Sequence, residues 1–572
     1  MTFRWVAARG LHLLPVLSLV ALAVGVGRAG NSAKVEQAPT PRAEGEAPKV
    51  APAVEIDLKV IAEVKANAQL RANLQHLCDV IGPRVTGSAN LEKANKWAAE
   101  KMKEYGLTNV KLEPWEIPVA WERGSVTFKM VEPNPGKPLA AAAMAWTPGT
   151  KGKVTGEVVF LEAKTKDDLA KYKGKLKNAI VLRNAPADVK PIGDLTYLAP
   201  PAPKEPKKDE PKKEEPKKPD AKKEEPKKDE PVKQPETLPQ PGPRPSMTEM
   251  RAYRAALGEF LKTEGAAAVL VDSAKPHGLL TMTGSWPEGD RGTATDPMPT
   301  LFVPHEHYAM LHRLATAKDG PRPQVELEVT NKFLPGPITV FNTVGEITGS
   351  EKPDEFVVIG AHLDSWDLGT GATDNGTGSC IVLEIARTLG ALAKAGVKPK
   401  RTIRFTLFTG EEQGLFGSKQ YVKRHKDEMP KTSMALVHDT GTGKVQGFGL
   451  QGREAVRKVL EPELETLKTV DGWNGLSLRG MGGTDHLSFE KEGVPGFACD
   501  QDMDEYRLTH HTQTDTFDHV KIPNLVQGAQ VMAIAALRVA NLPELLPRDK
   551  KKEEPKKEEV KKEEPKKVEE KK

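Results

Sequence analysis

The sequence predicts an α/β fold in which helices sandwich a mixed, mostly parallel sheet, with a smaller β-rich domain inserted into it. Short runs of β-branched and aromatic residues, among them 356–361, 405–408 and 435–437, have the composition of buried strands. Longer segments with apolar residues at helical spacing alternate with these runs, as in sheets whose strands are joined by helical crossovers. These predicted helices are 376–396, 413–428, 452–468 and 524–541.

The domain boundaries follow from where this alternation stops and resumes. Residues 56–119 read as two helices followed by a strand, and the α/β alternation continues over 333–543. We therefore expect these two stretches to form one discontinuous domain. The intervening residues, 120–332, form the predicted insertion, with strands at 156–162, 178–183 and 266–271 and a short helix at 167–172.

Two segments have a different composition from the rest of the chain. Residues 203–245, inside the insertion, and the tail at 548–572 consist largely of Lys, Glu and Pro. Such segments bury too little apolar surface to offset the entropy of ordering, so we expect them to be disordered. Their opposite charges nearly cancel, and the whole chain carries only +5. Without a basic patch or a recognised motif, the sequence predicts no nucleic-acid partner.

The N-terminus has the pattern of a secretory signal peptide, which we assign to 1–30. Arg4 and Arg9 precede an apolar stretch at 11–26, and small residues follow. Residues 31–55 read as a flexible tether. This pattern predicts export to the periplasm, the cell surface or the medium, with no stable membrane insertion once the signal is cleaved. A retained membrane anchor is the alternative.

The cysteines do not form a disulfide framework. Cys78, Cys380 and Cys499 are few, odd in number and scattered, and their neighbours are largely apolar or small. We therefore expect buried structural thiols rather than a catalytic cysteine.

Polar residues follow several of the predicted strands, and these residues carry the functional prediction. The carboxyl ends of parallel strands meet at one edge of an open sheet, where ligands bind. Histidines and carboxylates converging there suit two divalent cations such as zinc. The pattern therefore predicts a two-zinc exopeptidase. The residues concerned are His362, Asp364, Asp374, Glu411, Glu412, Asp439, His510 and His511.

Several of these residues also have ordinary structural interpretations. Asp374 precedes a helix and could cap it, and Glu411–Glu412 could form a solvated acidic turn. The tandem histidines could lie on the surface. Adjacent side chains at a strand end point in different directions, so one glutamate can bind metal while the other acts as a base on bound water. We leave His438 out of the set, because it should face away from Asp439. His486 has a polar loop setting, which favours a plain loop histidine over the alternative of a substrate-contacting one.

Three motifs resemble a known family. They are Gly-Ala-His-Leu-Asp-Ser-Trp-Asp at 360–367, Gly-Glu-Glu-Gln-Gly at 410–414 and His-Thr-Gln-Thr-Asp at 511–515. They are similar to the co-catalytic zinc exopeptidases of clan MH, which include secreted bacterial aminopeptidases and carboxypeptidase Q. The resemblance covers most of 57–119 and 334–543. It implies the phosphorylase/hydrolase-like fold of that clan, and a protease-associated type of domain for the insertion.

The resemblance also implies a role for each site residue. His362 and Asp439 would bind one zinc ion, Glu412 and His511 the other, and Asp374 would bridge the two. Asp364 would orient His362, and Glu411 would be the general base. Many aminopeptidases of the family have a tyrosine directly before the last histidine ligand, and this chain has His510 instead. We therefore expect His510 to stabilise the oxyanion, with Tyr506 as the alternative.

The function predicted is an exported enzyme that removes terminal residues or dipeptides from peptide substrates. The motifs do not distinguish the amino from the carboxyl end, and they leave the oligomeric state open, a homodimer included. Two alternatives have different chemistry. One is a single-zinc acyltransferase of the glutaminyl cyclase type, which a complete two-metal set disfavours. The other is a non-catalytic binding protein with a structural metal, which Glu411 disfavours because such a site needs no extra carboxylate.

Overall fold

The computed structural model describes residues 52–189, 247–286 and 298–548. The predicted signal peptide and the Lys/Glu/Pro tract at 203–245 lie outside these ranges, as does the tail apart from Arg548. The predicted tether lies outside them up to residue 51. Its last residues, 52–55, correct the prediction, because they form the first turn of a helix rather than a flexible linker.

Strands are numbered in chain order and fall into two sheets. Within the described residues the first sheet has eight strands in the order β1-β9-β11-β10-β12-β15-β13-β14. Its centre is parallel, because β10 pairs in parallel with both β11 and β12, and β12 with β15. The strands of this sheet are β1 (Thr108–Glu122), β9 (Lys332–Ile347), β10 (Lys352–His362), β11 (Arg401–Phe408), β12 (Thr432–Val437), β13 (Val445–Gly449), β14 (Gly475–Ser477) and β15 (Gly496–Gln501).

Helices are numbered separately, also in chain order. They are α1 (Pro52–Asn67), α2 (Leu70–Gln75), α3 (Ala89–Glu104), α4 (Lys166–Leu169), α5 (Met247–Thr263), α6 (His305–Thr316), α7 (Thr377–Lys394), α8 (Phe416–Arg424), α9 (Glu454–Glu463), α10 (His486–Lys491), α11 (Tyr506–Thr509) and α12 (Ile522–Asn541). The helix predicted within 56–77 is interrupted near residue 68, and the one predicted at 413–428 is shorter than expected.

The central strands are buried on both faces. Val357 and Ile359 of β10 belong to the core that includes α7 and α12, whereas Val358 packs in a separate cluster with residues of α8 and α10. Alternate side chains of one strand therefore contact helices on opposite sides of the sheet. This arrangement explains the uninterrupted apolar runs in the sequence, and it confirms the predicted fold class.

The second sheet is built from residues 126–329. Its order within the described ranges is β2-β8-β4-β5-β6-β7-β3, with parallel pairing from β4 through β7. The chain leaves the first sheet along β1 and returns along β9, and these two strands pair antiparallel. The strands are β2 (Val126–Glu132), β3 (Ala142–Ala143), β4 (Val154–Phe160), β5 (Ile180–Leu182), β6 (Ala268–Asp272), β7 (Thr300–Val303) and β8 (Gln324–Val329).

In the described ranges, none of the helices has the combination of length and hydropathy that spanning a bilayer requires.

Candidate metal centre at the carboxyl ends of the strands

His362 and Asp439 meet at the ends of neighbouring parallel strands. Gly360 is paired with Val437 in the register of β10 and β12, so residues two positions further along each strand lie side by side. The Nε2 atom of His362 is 2.9 Å from Oδ1 of Asp439, and 3.3 Å from Oδ1 of Asp374. One imidazole and two carboxylates thus face a common point, where a cation would satisfy all three.

Asp364 fixes the surroundings of His362. Its carboxylate accepts hydrogen bonds from Thr86 Oγ1 (3.1 Å) and from the backbone N–H groups of Glu411 and Glu412 (both 3.3 Å). Oδ1 of Asp364 also lies 3.6 Å from Nδ1 of His362, which is 3.0 Å from the Asp364 carbonyl oxygen. This fully buried carboxylate therefore links the strand that carries His362 to the turn that carries the glutamates.

Asp374 lies in the tight turn that precedes α7. The carboxylate of Asp515 accepts hydrogen bonds from the Asp374 N–H (3.2 Å), the Thr373 N–H (2.5 Å) and the Thr373 hydroxyl (2.8 Å). Oδ2 of Asp374 has no hydrogen-bond partner among the described residues. These bonds to Asp515 hold the turn in place. The Asp374 side chain points into the cluster and does not cap the helix.

Glu412 and His511 complete the cluster on its other side. The Nε2 atom of His511 is 2.9 Å from Oε2 of Glu412 and 3.4 Å from Oδ2 of Asp374. Asp374 therefore has one carboxylate oxygen toward His362 and the other toward His511. That is the geometry expected of a carboxylate shared by two cations.

The residues present fit a pair of zinc ions. Ligand atoms of His362, Asp374 and Asp439 all lie within 4.8 Å of one another, and so do those of Asp374, His510 and His511. Imidazole nitrogens and carboxylate oxygens are the donors that zinc takes in catalytic sites. Several carboxylates concentrated in a buried site repel one another unless cations compensate them. Donor chemistry and burial therefore both favour metal.

Glu411 lies close to these side chains, and their charges act on its carboxyl group. The residue is buried, and its Oε1 atom has no hydrogen-bond partner among the described residues. Burial raises the pKa of Glu411 well above its usual value, and the negative charges of Asp439, Glu412 and Asp485 add to that rise against the opposing effect of His362. A carboxyl group in this position can accept and return a proton.

Neighbouring carboxylates raise the pKa of His362 as well, although burial acts on this pKa in the opposite direction. Burial lowers the pKa of His362, but the carboxylates of Asp439, Asp364 and Asp374 outweigh it and raise that pKa well above the usual value. The site around this imidazole therefore strongly favours a positive charge.

His510 is the most accessible member of the site. Its side chain is 44% exposed, against 15% for His511. Its ring stacks on that of His511 at a centroid distance of 3.8 Å, and its Nε2 lies 3.9 Å from Oδ2 of Asp374. Burial, together with the neighbouring His511, lowers the pKa of His510 to about 4. Tyr506 is buried behind it, with the two ring centroids 5.1 Å apart.

Two other histidines of the sequence analysis, His438 and His486, lie outside the cluster. His438 is buried, and its ring nitrogens have no hydrogen-bond partner among the described residues. His486 corrects our prediction of a polar loop, because it is buried at the start of α10 with Nε2 2.7 Å from Nε2 of Gln451. The loop expected there is replaced by a short helix whose first residue packs inward.

Other residues organise the site without having been predicted. Arg84 is fully buried, and its guanidinium donates to the carbonyl oxygens of Leu363 (2.7 Å), Thr370 (2.9 Å) and Gly371 (2.7 Å). It thereby fixes the loop between His362 and Asp374. The Gly-Pro-Arg-Val-Thr-Gly sequence at 82–87 gave a sign of a special turn, but nothing in it indicated where the guanidinium would point.

Asp485 is a second residue near the site that was not predicted, and it is fully buried. Burial raises the pKa of its carboxyl group to about 7, and the nearby charges of Asp439 and Asp364 contribute to the same rise. The local sequence Gly-Gly-Thr-Asp-His did not indicate this burial, which depends on residues elsewhere in the chain.

Comparisons with known proteins agree with this geometry. Residues 342–536 match the model of Peptidase family M28. Carboxypeptidase Q of Pongo abelii is 30% identical over 485 residues, which are 85% of this chain and 88% of that protein. Carboxypeptidase Q of Homo sapiens is 29% identical over the same shares of the two chains.

Solved structures give the same result for the fold. A Peptidase M28 precursor from Shewanella amazonensis superposes with a TM-score of 0.65 at 25% identity, over 87% of this chain and 99% of that one. BSAP, a zinc aminopeptidase from Bacillus subtilis, superposes with a TM-score of 0.53 at 20% identity, over 82% of this chain and 93% of that one.

Proposed function

This chain belongs to peptidase family M28, and from that premise we propose that it is an exported exopeptidase with two zinc ions. It is a zinc peptidase of clan MH, as its relatives and its fold indicate. The number of ions, the role of each residue, the end of the peptide attacked and the export are the parts that we propose.

We assign His362 and Asp439 to one ion, Glu412 and His511 to the other, and Asp374 to both. The distances among these side chains support the assignment. Zinc ions held there would lower the pKa of a water molecule and would polarise the scissile carbonyl. Asp364 keeps the imidazole of His362 in position through the contacts at its Nδ1 side, as second-layer carboxylates commonly do.

The observation that carries the proposal is the buried carboxyl group of Glu411 beside the metal-binding cluster, whose Oε1 atom has no hydrogen-bond partner among the described residues. Glu411 takes the proton of the attacking water and returns it to the leaving amine as the peptide bond breaks. A protein that used the metal for structure alone would gain nothing from this carboxyl group, and its burial would cost free energy. The observation therefore favours hydrolysis over the non-catalytic alternative.

His510 is the proposed hydrogen-bond donor to the oxyanion of the tetrahedral intermediate. Its side chain is about half-buried, with 44% accessible to solvent, and its ring lies against the ring of His511. A neutral imidazole carries one N–H, which can donate to the developing negative charge. Tyr506 is a poorer donor candidate because it is buried behind His510.

We further propose that the enzyme releases residues from the carboxyl end of short peptides. The curated relatives that cover most of this chain are named carboxypeptidase Q, while the zinc aminopeptidase from Bacillus subtilis, at 20% identity, supports the fold alone. The export rests on the signal-like pattern of residues 1–30.

The test combines metal content with a panel of dipeptides and tripeptides whose amino or carboxyl ends are free or blocked. We expect two zinc ions per chain and cleavage that chelation abolishes and that a blocked carboxyl end prevents. Cleavage that requires only a free amino end would reverse the direction. One zinc ion with cyclisation of N-terminal glutamine would replace the proposal with the acyltransferase.

A further inference from the structure

We propose that residues 275–282, which lie between β6 and β7 of the second sheet, position His510 and His511, the histidine pair of the metal centre. Lys275 is the main positioning residue. The inference rests on the proposed function, because it assumes that His511 binds metal. The first sheet alone does not complete the site. The segment from β6 toward β7 supplies the contacts that set the two imidazoles.

The backbone of His511 requires such support. Its φ angle is +57°, in the left-handed region that few residues other than glycine adopt. In an extended chain the side chains of adjacent residues point to opposite sides. The left-handed conformation places the rings of His510 and His511 on the same side, stacked at 3.8 Å. A backbone in this region persists only where its surroundings hold it.

Lys275 holds the turn on its N-terminal side. Its ammonium group donates hydrogen bonds to the carbonyl oxygens of Arg507 (3.0 Å) and His510 (2.7 Å). These carbonyls lie at the end of α11, where the backbone oxygens have lost their helical partners and attract positive charge. The side chain thus stabilises both the end of this helix and the peptide that joins the two histidines.

Backbone contacts hold the same turn on its C-terminal side. The Met282 N–H donates to the His511 carbonyl (2.8 Å), and Thr281 forms an antiparallel bridge with Thr512. The side chain of Gln513 accepts from the Leu280 N–H (2.8 Å) and donates to the Gly278 carbonyl (3.2 Å). Both carbonyls of the histidine pair are therefore held by 275–282.

The segment is in turn anchored to the loop that follows His362. Arg123, at the end of β1, forms a two-bonded ion pair with Asp367 at 2.9 and 2.7 Å and also contacts the Met282 sulfur at 3.3 Å. Trp366, beside Asp367, packs its ring edge-on against that of His511, with centroids 6.0 Å apart. The loop after His362 and the turn that carries His511 are therefore connected through residues 275–282.

The test is zinc binding by the apo-protein, measured in competition with a chromophoric chelator. Lys275→Met removes the ammonium group and keeps the apolar stem. We expect it to weaken one of the two zinc ions about 10- to 100-fold, the range seen when outer hydrogen-bond partners of metal ligands are lost. Lys275→Arg should restore binding, because a guanidinium can donate to both carbonyls. Lys171→Met, which removes an exposed lysine of the same region, is the matched control and should leave both ions unchanged.

Selective loss of one ion identifies positioning, since a general loss of folding would weaken both ions together. Wild-type affinity for both ions in Lys275→Met would overturn the proposal. If that variant does not fold, Gln513→Leu removes the two side-chain bonds without changing charge, and unchanged zinc binding there would overturn it equally. A wild-type chain that binds two ions and cleaves no peptide would refute the proposed function, while the isotherms of the variants would still decide the role of Lys275.

Discussion

The imidazole of His362 and the carboxylate of Asp439 lie 2.9 Å apart because the strands that precede them are paired in parallel register. His362 is the last residue of β10, and Asp439 lies two residues beyond the end of β12. The first half of the metal centre is therefore built into the sheet, whereas the second half, around His511, depends on contacts between separate parts of the chain.

Replacing Glu411 by glutamine should leave both zinc ions in place and lower kcat about 10²- to 10⁴-fold. The amide keeps the size of the side chain but cannot accept the proton of the attacking water. Metal analysis and steady-state kinetics on the same sample test this. The control is Glu116→Gln, at an exposed position of β1. Loss of zinc in Glu411→Gln would make Glu411 a ligand rather than the base.

His511→Ala and His510→Ala should differ in metal content. His511 lies 2.9 Å from Glu412, in a position to share an ion with it, so its removal should release one zinc ion. His510→Ala should retain both ions and lose about 10²-fold or more in kcat, as expected when an oxyanion donor is removed. Equal loss of zinc in both variants would assign His510 to the ligand set, which its distance of 3.9 Å from Asp374 also permits.

Removing the metal should lower the melting temperature as well as abolish turnover. The buried carboxylates of Asp374 and Glu412 and the partly buried carboxylate of Asp439 would remain close together without compensating cations. A ligand that binds only the native state at 100 times its Kd contributes about 2.7 kcal/mol per site, so removal of two ions should be readily measurable by calorimetry. An unchanged melting temperature after complete chelation would contradict metal binding at this buried cluster.

Arg84→Lys should destabilise the protein by about 2–3 kcal/mol and lower its activity. A lysine ammonium cannot reproduce the planar set of bonds to Leu363, Thr370 and Gly371, so carbonyl groups near His362 and Asp374 would be left unpaired in the interior. Denaturant unfolding measures the loss. Arg457→Lys, at a half-exposed position on α9 where a lysine can keep the ion pair with Glu454, is the control and should change stability little. Wild-type stability in Arg84→Lys would show that these bonds are replaceable.

His425 should make part of the stability dependent on pH. Burial lowers its pKa, but hydrogen bonds with Glu113 and Glu428 outweigh burial and raise it above the usual value. Because this pKa is raised in the folded state, the contribution of His425 to the free energy of unfolding is complete below the unfolded pKa of about 6.5. That contribution disappears as the pH rises through the folded pKa. Urea unfolding of wild type and His425→Gln should therefore show a larger difference at pH 6 than at pH 9.

The comparison requires that the hydrogen-bond partners of His425 keep their charge over the same pH range. The pKa of Glu428 is lowered to about 2 despite burial, by His425 and Arg404, so the carboxylate stays charged throughout the range tested. A difference between wild type and His425→Gln that does not vary between pH 6 and pH 9 would show that His425 is not protonated in the folded protein.

The fold class and the candidate ligands could be inferred from the sequence because both follow from local patterns. Strands buried on two faces must be apolar along their whole length, so 356–361 and 405–408 stand out, and the polar residues after them must lie at the sheet edge. Burial of a helix, by contrast, depends on distant neighbours, which explains the misjudged surroundings of His486.

What the sequence by itself determined was which residue types occur at the carboxyl ends of the strands, and hence that a metal-dependent reaction was to be expected. Tertiary structure alone decided how these residues are held. Arg84 reaches the loop between His362 and Asp374, Asp515 supports the turn of Asp374, and Lys275 fixes the histidine pair. Each of these contacts joins residues far apart in the chain, so no local pattern of spacing or hydropathy records it.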